Sequence, residues 1–303
     1  MGPRDSEPFR RSRIQLYSRL KLKNIFPGEW ESIYPGDGIE FMGTKPFEPG
    51  DDLRDLDLYT LVRSGEEEII ERVVGRQLRV FIWADFSGSL QKSEDAFFPA
   101  RREIRDNAIG MLVFSAWNAY SPVGLCAFDR EIRKFFPARP GESYCQEVMD
   151  WVLDQEYAGP VTADIPKAIA FLMERVLPQS LVFFISDFQD PFFEDDFSDL
   201  IKPAAEKFDF ITVVIRDPLE TDALLPRSAI LSVSGDEGGG HQAIYLTPRK
   251  LRQVQEASSR HLSHLQRNFR RAGINHVVLE SPSLERSYEA LSGLFLARRR
   301  ARL

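Results

Sequence analysis

Residues 80 to 91 read VFIWADFSGSLQ. Five consecutive apolar residues, Val80 to Ala84, run directly into Asp85, and hydroxyls follow at every second position, Ser87 and Ser89. A continuously apolar run of this length, set in "LRVFIWADF" (78 to 86), predicts a strand buried on both faces, as strands of a parallel sheet are. Its carboxylate end is therefore the anomaly, because a group built to be ionised closes a segment built to be dry.

The chain on either side repeats the pattern. "ARREIRDNAIGMLVFSAWNAY" (100 to 120) has a helical apolar period with a polar opposite face, and "VGLCAFD" and "IRKFFP" are short strands about an Asp-Arg-Glu turn, an antiparallel pair at a sheet edge. Helical stretches follow at 142 to 156 and 164 to 177. Further apolar strands, "SLVFFISDF" (180 to 188), "FDFITVVIRD" (208 to 217) and "INHVVLES" (274 to 281), alternate with helices at 195 to 207 and 249 to 271. Apolar strands alternating with amphipathic helices predict an α/β fold, a doubly wound, mostly parallel sheet covered on both faces. Residues 218 to 248 interrupt the alternation with "AILSVSG" and "HQAIYLTP" about a Gly-rich tip, an inserted β-hairpin. That tip has no following Lys-Ser/Thr and is no phosphate loop. Residues 1 to 77 carry turn signals and one β-like run at Glu68 to Val74. They form a small β-containing extension ahead of the main domain at 78 to 303.

Composition narrows the class. The 303 residues are 43% hydrophobic and 28% charged with a net charge of −7, ordinary for a globular chain and contrary to a dedicated nucleic-acid binder, which needs a basic surface. No apolar run approaches the roughly 20 residues of a membrane span, and the opening "MGPRDSEPFRRSR" lacks the apolar core of a signal peptide, so a cytoplasmic protein is expected. Cys126 and Cys145 are too few for a disulfide framework and lack metal-binding spacing. The four histidines, His241, His261, His264 and His276, lie late in the chain and read as ordinary packed or surface residues. The Arg298, Arg299, Arg300 and Arg302 tail suits the C-terminal end of a helix, where cations complement the dipole.

Open parallel sheets bind ligands beyond the C-terminal ends of their strands, where the winding reverses. Asp85 closes the first strand of the main domain, and Asp187 closes "SLVFFISD". Neighbouring strands would bring both carboxylates into one crevice. Asp85, Ser87 and Ser89, with Gly88 free to take a positive φ, curl inward, and Thr162 in "AGPVTADI" supplies a further hydroxyl. An oxygen-only set without His or Cys suits Mg²⁺ or Mn²⁺ rather than zinc, and leaves a coordination position for an outside carboxylate. Helix capping by the serines is the plainer alternative.

"DFSGS", Thr162 and "ISDF" resemble the metal-ion-dependent adhesion site of von Willebrand factor type A domains. "GDGIEFMGTKPFEPGDDLRDLDLYTLVRSGEEEIIERVV", "RDPLETDALLP" and "RRAGINHVVLESPSLERSYEALSGLF" are similar to the bacterial domain-of-unknown-function fifty-eight family, so the resemblance runs from about residue 20 onward. It implies a cytosolic or membrane-tethered accessory protein working with a MoxR-type AAA+ ATPase, a type A-like domain at 78 to 303, and a metal site of Asp85, Ser87, Ser89, Thr162 and Asp187; the oxygen-only ligand set points to a non-catalytic, metal-dependent protein-binding module. The threonine loop departs from the family pattern: Thr162 stands one residue early relative to Asp164, with Ala163 at the expected hydroxyl.

"EPGDDLRDLDLY" reads as a turn and short helix, or as a partner-docking surface of Glu48, Asp51, Asp52, Arg54 and Asp55. Ser87 lacks the glycines of a nucleophile elbow. A metal-assisted hydrolase is the rival, with Asp164 or Asp190 as its only candidate bases, and a scaffold with a degenerate metal site is the third reading.

Overall fold

The structure is a computed structural model. It describes residues 40–47, 60, 64, 68–73, 78–90, 100–155, 161–189, 193, 197–221, 229–234 and 241–300. A hairpin of β1 (Glu40–Pro46) and β2 (Glu68–Val73) precedes the main sheet. The six-stranded sheet holds β3 (Val80–Asp85), β4 (Val123–Phe128), β5 (Ile132–Arg139), β6 (Leu181–Ser186), β7 (Asp209–Ile215) and β10 (Asn275–Leu279) in the order β10-β7-β6-β3-β4-β5. All neighbours are parallel except β4 and β5, the expected edge pair. Between β7 and β10 the expected hairpin forms a separate sheet of β8 (Ala229–Ser234) and β9 (His241–Leu246).

The central strands β3, β4, β6 and β7 are dry on both sides, and β3 shows why its sequence does not alternate in polarity. Val80, Ile82 and Ala84 enter one core with α1 (Ala100–Asn118), α2 (Glu142–Leu153) and α6 (Leu284–Arg300). Phe81 and Trp83 enter the other with α3 (Ile165–Arg175), α4 (Ser198–Lys207) and α5 (Pro248–Arg271). Every side chain of such a strand faces helices, so each must be apolar. From β3 the chain proceeds outward to β4 and β5, then returns across β3 to lay down β6, β7 and β10 on its other side. The C-terminal ends of β3 and β6 flank the point of reversal.

Two expectations need correction. The polar face expected of α1 is not solvated: Arg101, Arg102, Arg105, Asp106 and Asn107 are buried with its apolar residues, because each charge is met by carboxylates or carbonyls inside the fold. Arg102 reaches the carbonyl of Leu153 at 3.1 Å, and the Asn107 side-chain amide donates to Pro282 at 2.8 Å. Gly88 does not use a left-handed conformation; it opens a right-handed 3-10 turn, Gly88–Leu90, closed by Leu90 N–H on the Ser87 carbonyl at 3.0 Å. At the C-terminus, Arg298 does more than complement a dipole. Its guanidinium holds both oxygens of Asp209 at 2.6 Å, tying α6 to the start of β7.

Candidate functional site

Asp85 and Ser186 end adjacent parallel strands, and the register that pairs Ala84 with Ile185 sets their side chains together. Ser186 Oγ donates to Asp85 Oδ2 at 2.7 Å, and the Ser87 amide donates to Asp85 Oδ1 at 2.7 Å, folding the chain back over the strand end. Ser87 Oγ lies 3.3 Å from Ser89 Oγ. The edge of an octahedron with bonds of about 2.1 Å is roughly 3 Å, so two hydroxyls at this separation suit adjacent vertices around a small hard cation.

Asp187 follows Ser186 and is 3% exposed. The next residue, Phe188, has φ 55°, a left-handed conformation that costs a bulky residue about 1–3 kcal/mol. The surroundings hold it there. The Phe188 ring is buried against Phe193 and Phe269 at centroid distances of 4.8 and 5.4 Å. Its N–H donates to Ser186 Oγ at 3.0 Å, and His261 Nε2 lies 2.7 Å from its carbonyl. A carbonyl only accepts, so His261 carries its proton on Nε2. This histidine, ordinary by sequence, fixes the backbone bend that aims Asp187.

The Thr162 loop is fastened on both sides. Gly88 N–H donates to the Val161 carbonyl at 2.7 Å, and Asp164 N–H donates to the Asp129 carbonyl beyond β4 at 2.9 Å. Thr162 itself is exposed. Asp164 caps α3, accepting from Lys167 N–H at 2.9 Å, which occupies one oxygen of this candidate base. The structure thus gathers Asp85, Ser87, Ser89 and Asp187, brings the Thr162 segment against the turn that carries the serines, and turns no Thr162 hydrogen bond toward them. Asp190 and the docking candidates Glu48, Asp51, Asp52, Arg54 and Asp55 lie outside the described residues.

Sequence reasoning missed the charge lattice beneath the site. Four buried arginines, Arg101, Arg102, Arg105 and Arg216, face five buried carboxylates, Asp85, Asp106, Asp187, Asp217 and Glu220. Arg105 and Arg102 hold Asp106. Arg101 Nη1 binds Asp187 Oδ2 at 2.6 Å, while its Nη2 binds Glu220 Oε1. Asp217 Oδ2 accepts the Ala100 N–H at the start of α1 at 2.9 Å. Among the described residues no guanidinium bonds the Asp85 carboxylate; Arg105 Nη1 reaches only its main-chain carbonyl, at 3.4 Å. Burial, then the charge of Asp187, push the Asp85 carboxyl up to about 7, against the hydrogen bonds from Ser87 and Ser186. The helical spacing Arg101, Arg105 was the available signal, but in sequence it looks like a solvated face.

A divalent cation fits this donor set on two counts: the hydroxyl spacing, and a buried carboxylate in excess of the arginines. Asp85, Ser87 and Ser89 would hold it, with Asp187 beside them. Among the described residues no group of three His, Cys, Asp or Glu side chains could hold a metal, so hydroxyls would have to complete the shell. Cys126 and Cys145 are buried free thiols with no part in the site, and burial pushes Cys145 up to about 12.

An α/β protein with carboxylate and hydroxyl oxygens gathered at the reversal of its mostly parallel sheet is the class these features define. The family of proteins of unknown function DUF58 matches residues 43–267, and the chain belongs to it. An uncharacterized protein of Mycobacterium tuberculosis is 23% identical over 265 residues, spanning 86% of this chain and 80% of its own length, and one of Mycobacterium bovis matches to the same extent. Among solved structures, the chain is similar to an aerotolerance-related membrane protein from Bacteroides fragilis, with TM-score 0.42 and 14% identity over 73% of this chain and 99% of that one. It is also similar to proximal thread matrix protein 1 from the mussel byssus, with TM-score 0.36 and 15% identity over 46% and 37% of the two chains. Among the described residues no helix is long and apolar enough to cross a membrane.

Proposed function

We propose that the chain is a non-catalytic, Mg²⁺- or Mn²⁺-dependent protein-interaction module with a von Willebrand factor type A-like, doubly wound arrangement, whose metal site is Asp85, Ser87, Ser89, Thr162 and Asp187. The observation that carries this reading is Asp85: a buried carboxylate at the strand-order reversal, without a guanidinium on either oxygen, beside two hydroxyls 3.3 Å apart. When bound, the ion supplies a Lewis-acidic position for a carboxylate of a partner protein. The strand ends hold Asp85 and Asp187, the 3-10 turn presents the serines, and Phe86 and Leu90 beneath them keep water from the carboxylates' inner side.

From the family resemblance the partner is a MoxR-type AAA+ ATPase or its client, and the sequence's want of a long apolar run favours the cytoplasm as the place of work. Non-catalytic use is favoured over metal-assisted hydrolysis because Asp164, the described candidate base, is engaged as a helix cap. A second reading, a scaffold in which protein cations have taken over from a metal, draws on the Arg101–Asp187 pair. Surface plasmon resonance of the purified chain against the MoxR-type ATPase, in Mg²⁺ and in EDTA, tests the proposal. Binding in Mg²⁺ that is lost in EDTA and in Asp85→Ala is expected; Mg²⁺-independent binding, or binding retained by Asp85→Ala, contradicts it.

A further inference from the structure

Asp187 is the candidate ligand that already has a cation. Arg101 Nη1 sits 2.6 Å from its Oδ2, with both side chains 3% exposed, and Gln189 N–H donates to Oδ1 at 3.2 Å. The same guanidinium turns its other terminal nitrogen to Glu220 and also acts on the charge of Asp217, so one positive charge is shared among carboxylates of which Asp187 and Glu220 are in direct contact. Glu220 is not free to yield. Its Oε2 accepts from Asp217 N–H at 3.3 Å within the 3-10 turn Pro218–Glu220, and Arg216 Nη2 donates to its carbonyl at 2.8 Å. Arg216 is anchored in turn on Glu280 at 2.6 Å and Ser258 at 3.1 Å.

We infer that Arg101 is a resident counter-cation that competes with a divalent ion for Asp187, and that the division of its guanidinium between Asp187 and Glu220 sets the metal affinity of the site. The inference rests on the metal-site reading above. A carboxylate shared with a buried guanidinium offers less negative potential to an ion, and the two cations repel one another across it in a medium that screens poorly. Among the described residues Asp85 has no guanidinium on its carboxylate. The two acids therefore have unequal parts: Asp85 is the committed ligand, and Asp187 contributes to the extent that Glu220 draws Arg101 away. Arg101 is a positioning residue, acting through Asp187.

A buried ion pair with a purely structural role predicts that any break in it loosens the site. Competition instead predicts opposite signs from its two ends. Removing Arg101 frees Asp187 for the ion; removing the charge of Glu220 leaves more of the guanidinium's charge to Asp187. Isothermal titration calorimetry with MnCl₂ on the full chain, with folding checked by circular dichroism, reads this out for wild type, Arg101→Gln and Glu220→Gln. Arg101→Gln should bind Mn²⁺ more tightly and Glu220→Gln more weakly, each by roughly 10- to 100-fold, the range typical of groups that orient a metal's ligands.

Weaker or equal binding by folded Arg101→Gln, or a shift of both variants in the same direction, overturns the inference. Binding by Arg101→Gln where wild type binds none supports it while removing the metal-dependent reading of the natural chain. Binding by wild type with unchanged affinity in both variants overturns the inference and leaves that reading standing. No binding by any of the three overturns both. Should Arg101→Gln not fold, Glu220→Gln decides: binding as tight as wild type counts against competition, and weaker binding supports it.

Discussion

Asp85 carries a cost that stability measurements can expose. With its carboxyl raised to about 7 by burial and by Asp187, the folded chain keeps this proton over a pH range in which the unfolded chain, with an ordinary aspartate near 3.8, has lost it. More protons bound in the folded state mean that its stability falls as pH rises from about 4 to about 7. The span of about three units corresponds to a loss on the order of 4 kcal/mol. Asp217 and Glu220, both raised chiefly by burial, add slope of the same sign. His276, lowered by burial and by Arg270, contributes the opposite sign near neutrality, its stability lost as pH falls through 6.5. Urea unfolding at pH 5 and 7.5 should therefore show Asp85→Asn gaining more stability relative to wild type at the higher pH than at the lower. Equal pH dependence of the two proteins would refute the charge assignment. Asp85 and its hydroxyls could be read in sequence because a carboxylate closing an apolar strand is locally anomalous. Arg101 and Glu220 could not, because a buried charge is recognisable only once its counter-charge is known: Arg101 meets Asp187 86 residues away and Glu220 119 residues away.

Strands and helices set narrower tolerances around the site. Gly124 lies in β4 opposite Phe81 of β3, and a Cβ there would meet the Phe81 ring and the Phe136 carbonyl at 2.7 Å. Backbone cannot retreat as a flexible side chain can, so Gly124→Ala should cost about 1–3 kcal/mol by overpacking, visible as a lowered Tm in a thermal melt. An unchanged Tm would mean that the β4–β5 edge yields more readily than its packing indicates. The bend after β6 gives a second test. Because His261 on α5 donates to the Phe188 carbonyl, His261→Ala should lose about 1 kcal/mol of stability and also weaken Mn²⁺ binding, through Asp187 alone. Calorimetry that finds the metal affinity unaltered would remove the bend from the site's support. The strained φ at Phe188 was hidden in sequence, since a phenylalanine gives no sign of a left-handed backbone. The 3-10 turn was obscured in another way: glycine suggested a positive φ, whereas Gly88 takes a right-handed turn and donates its N–H to Val161.

Across the molecule the alternation of apolar strands and helices was legible because both faces of the sheet are covered, so the strands signal themselves by unbroken hydrophobicity. The antiparallel edge was legible for the opposite reason: β5 is only partly buried and its sequence mixes Lys134 and Arg139 with Phe135 and Phe136. Harder to read was α1, whose charges lie inside the fold and convert an amphipathic pattern into a buried one. The sheet order brings two acidic strand ends together at the reversal, and the arginines of α1 hold Asp106, Asp187 and Glu220 beneath them while the Asp85 carboxylate is held by hydrogen bonds. Whether that remaining charge is a cation's place is the claim on which the functional reading stands. A crystal soaked in MnCl₂ and measured at the manganese edge tests it most directly. An anomalous peak within bonding distance of Asp85, Ser87 and Ser89, absent from Asp85→Asn crystals, is the expected result. A flat anomalous map there, with Asp85 still bound only to Ser87 and Ser186, would contradict the account.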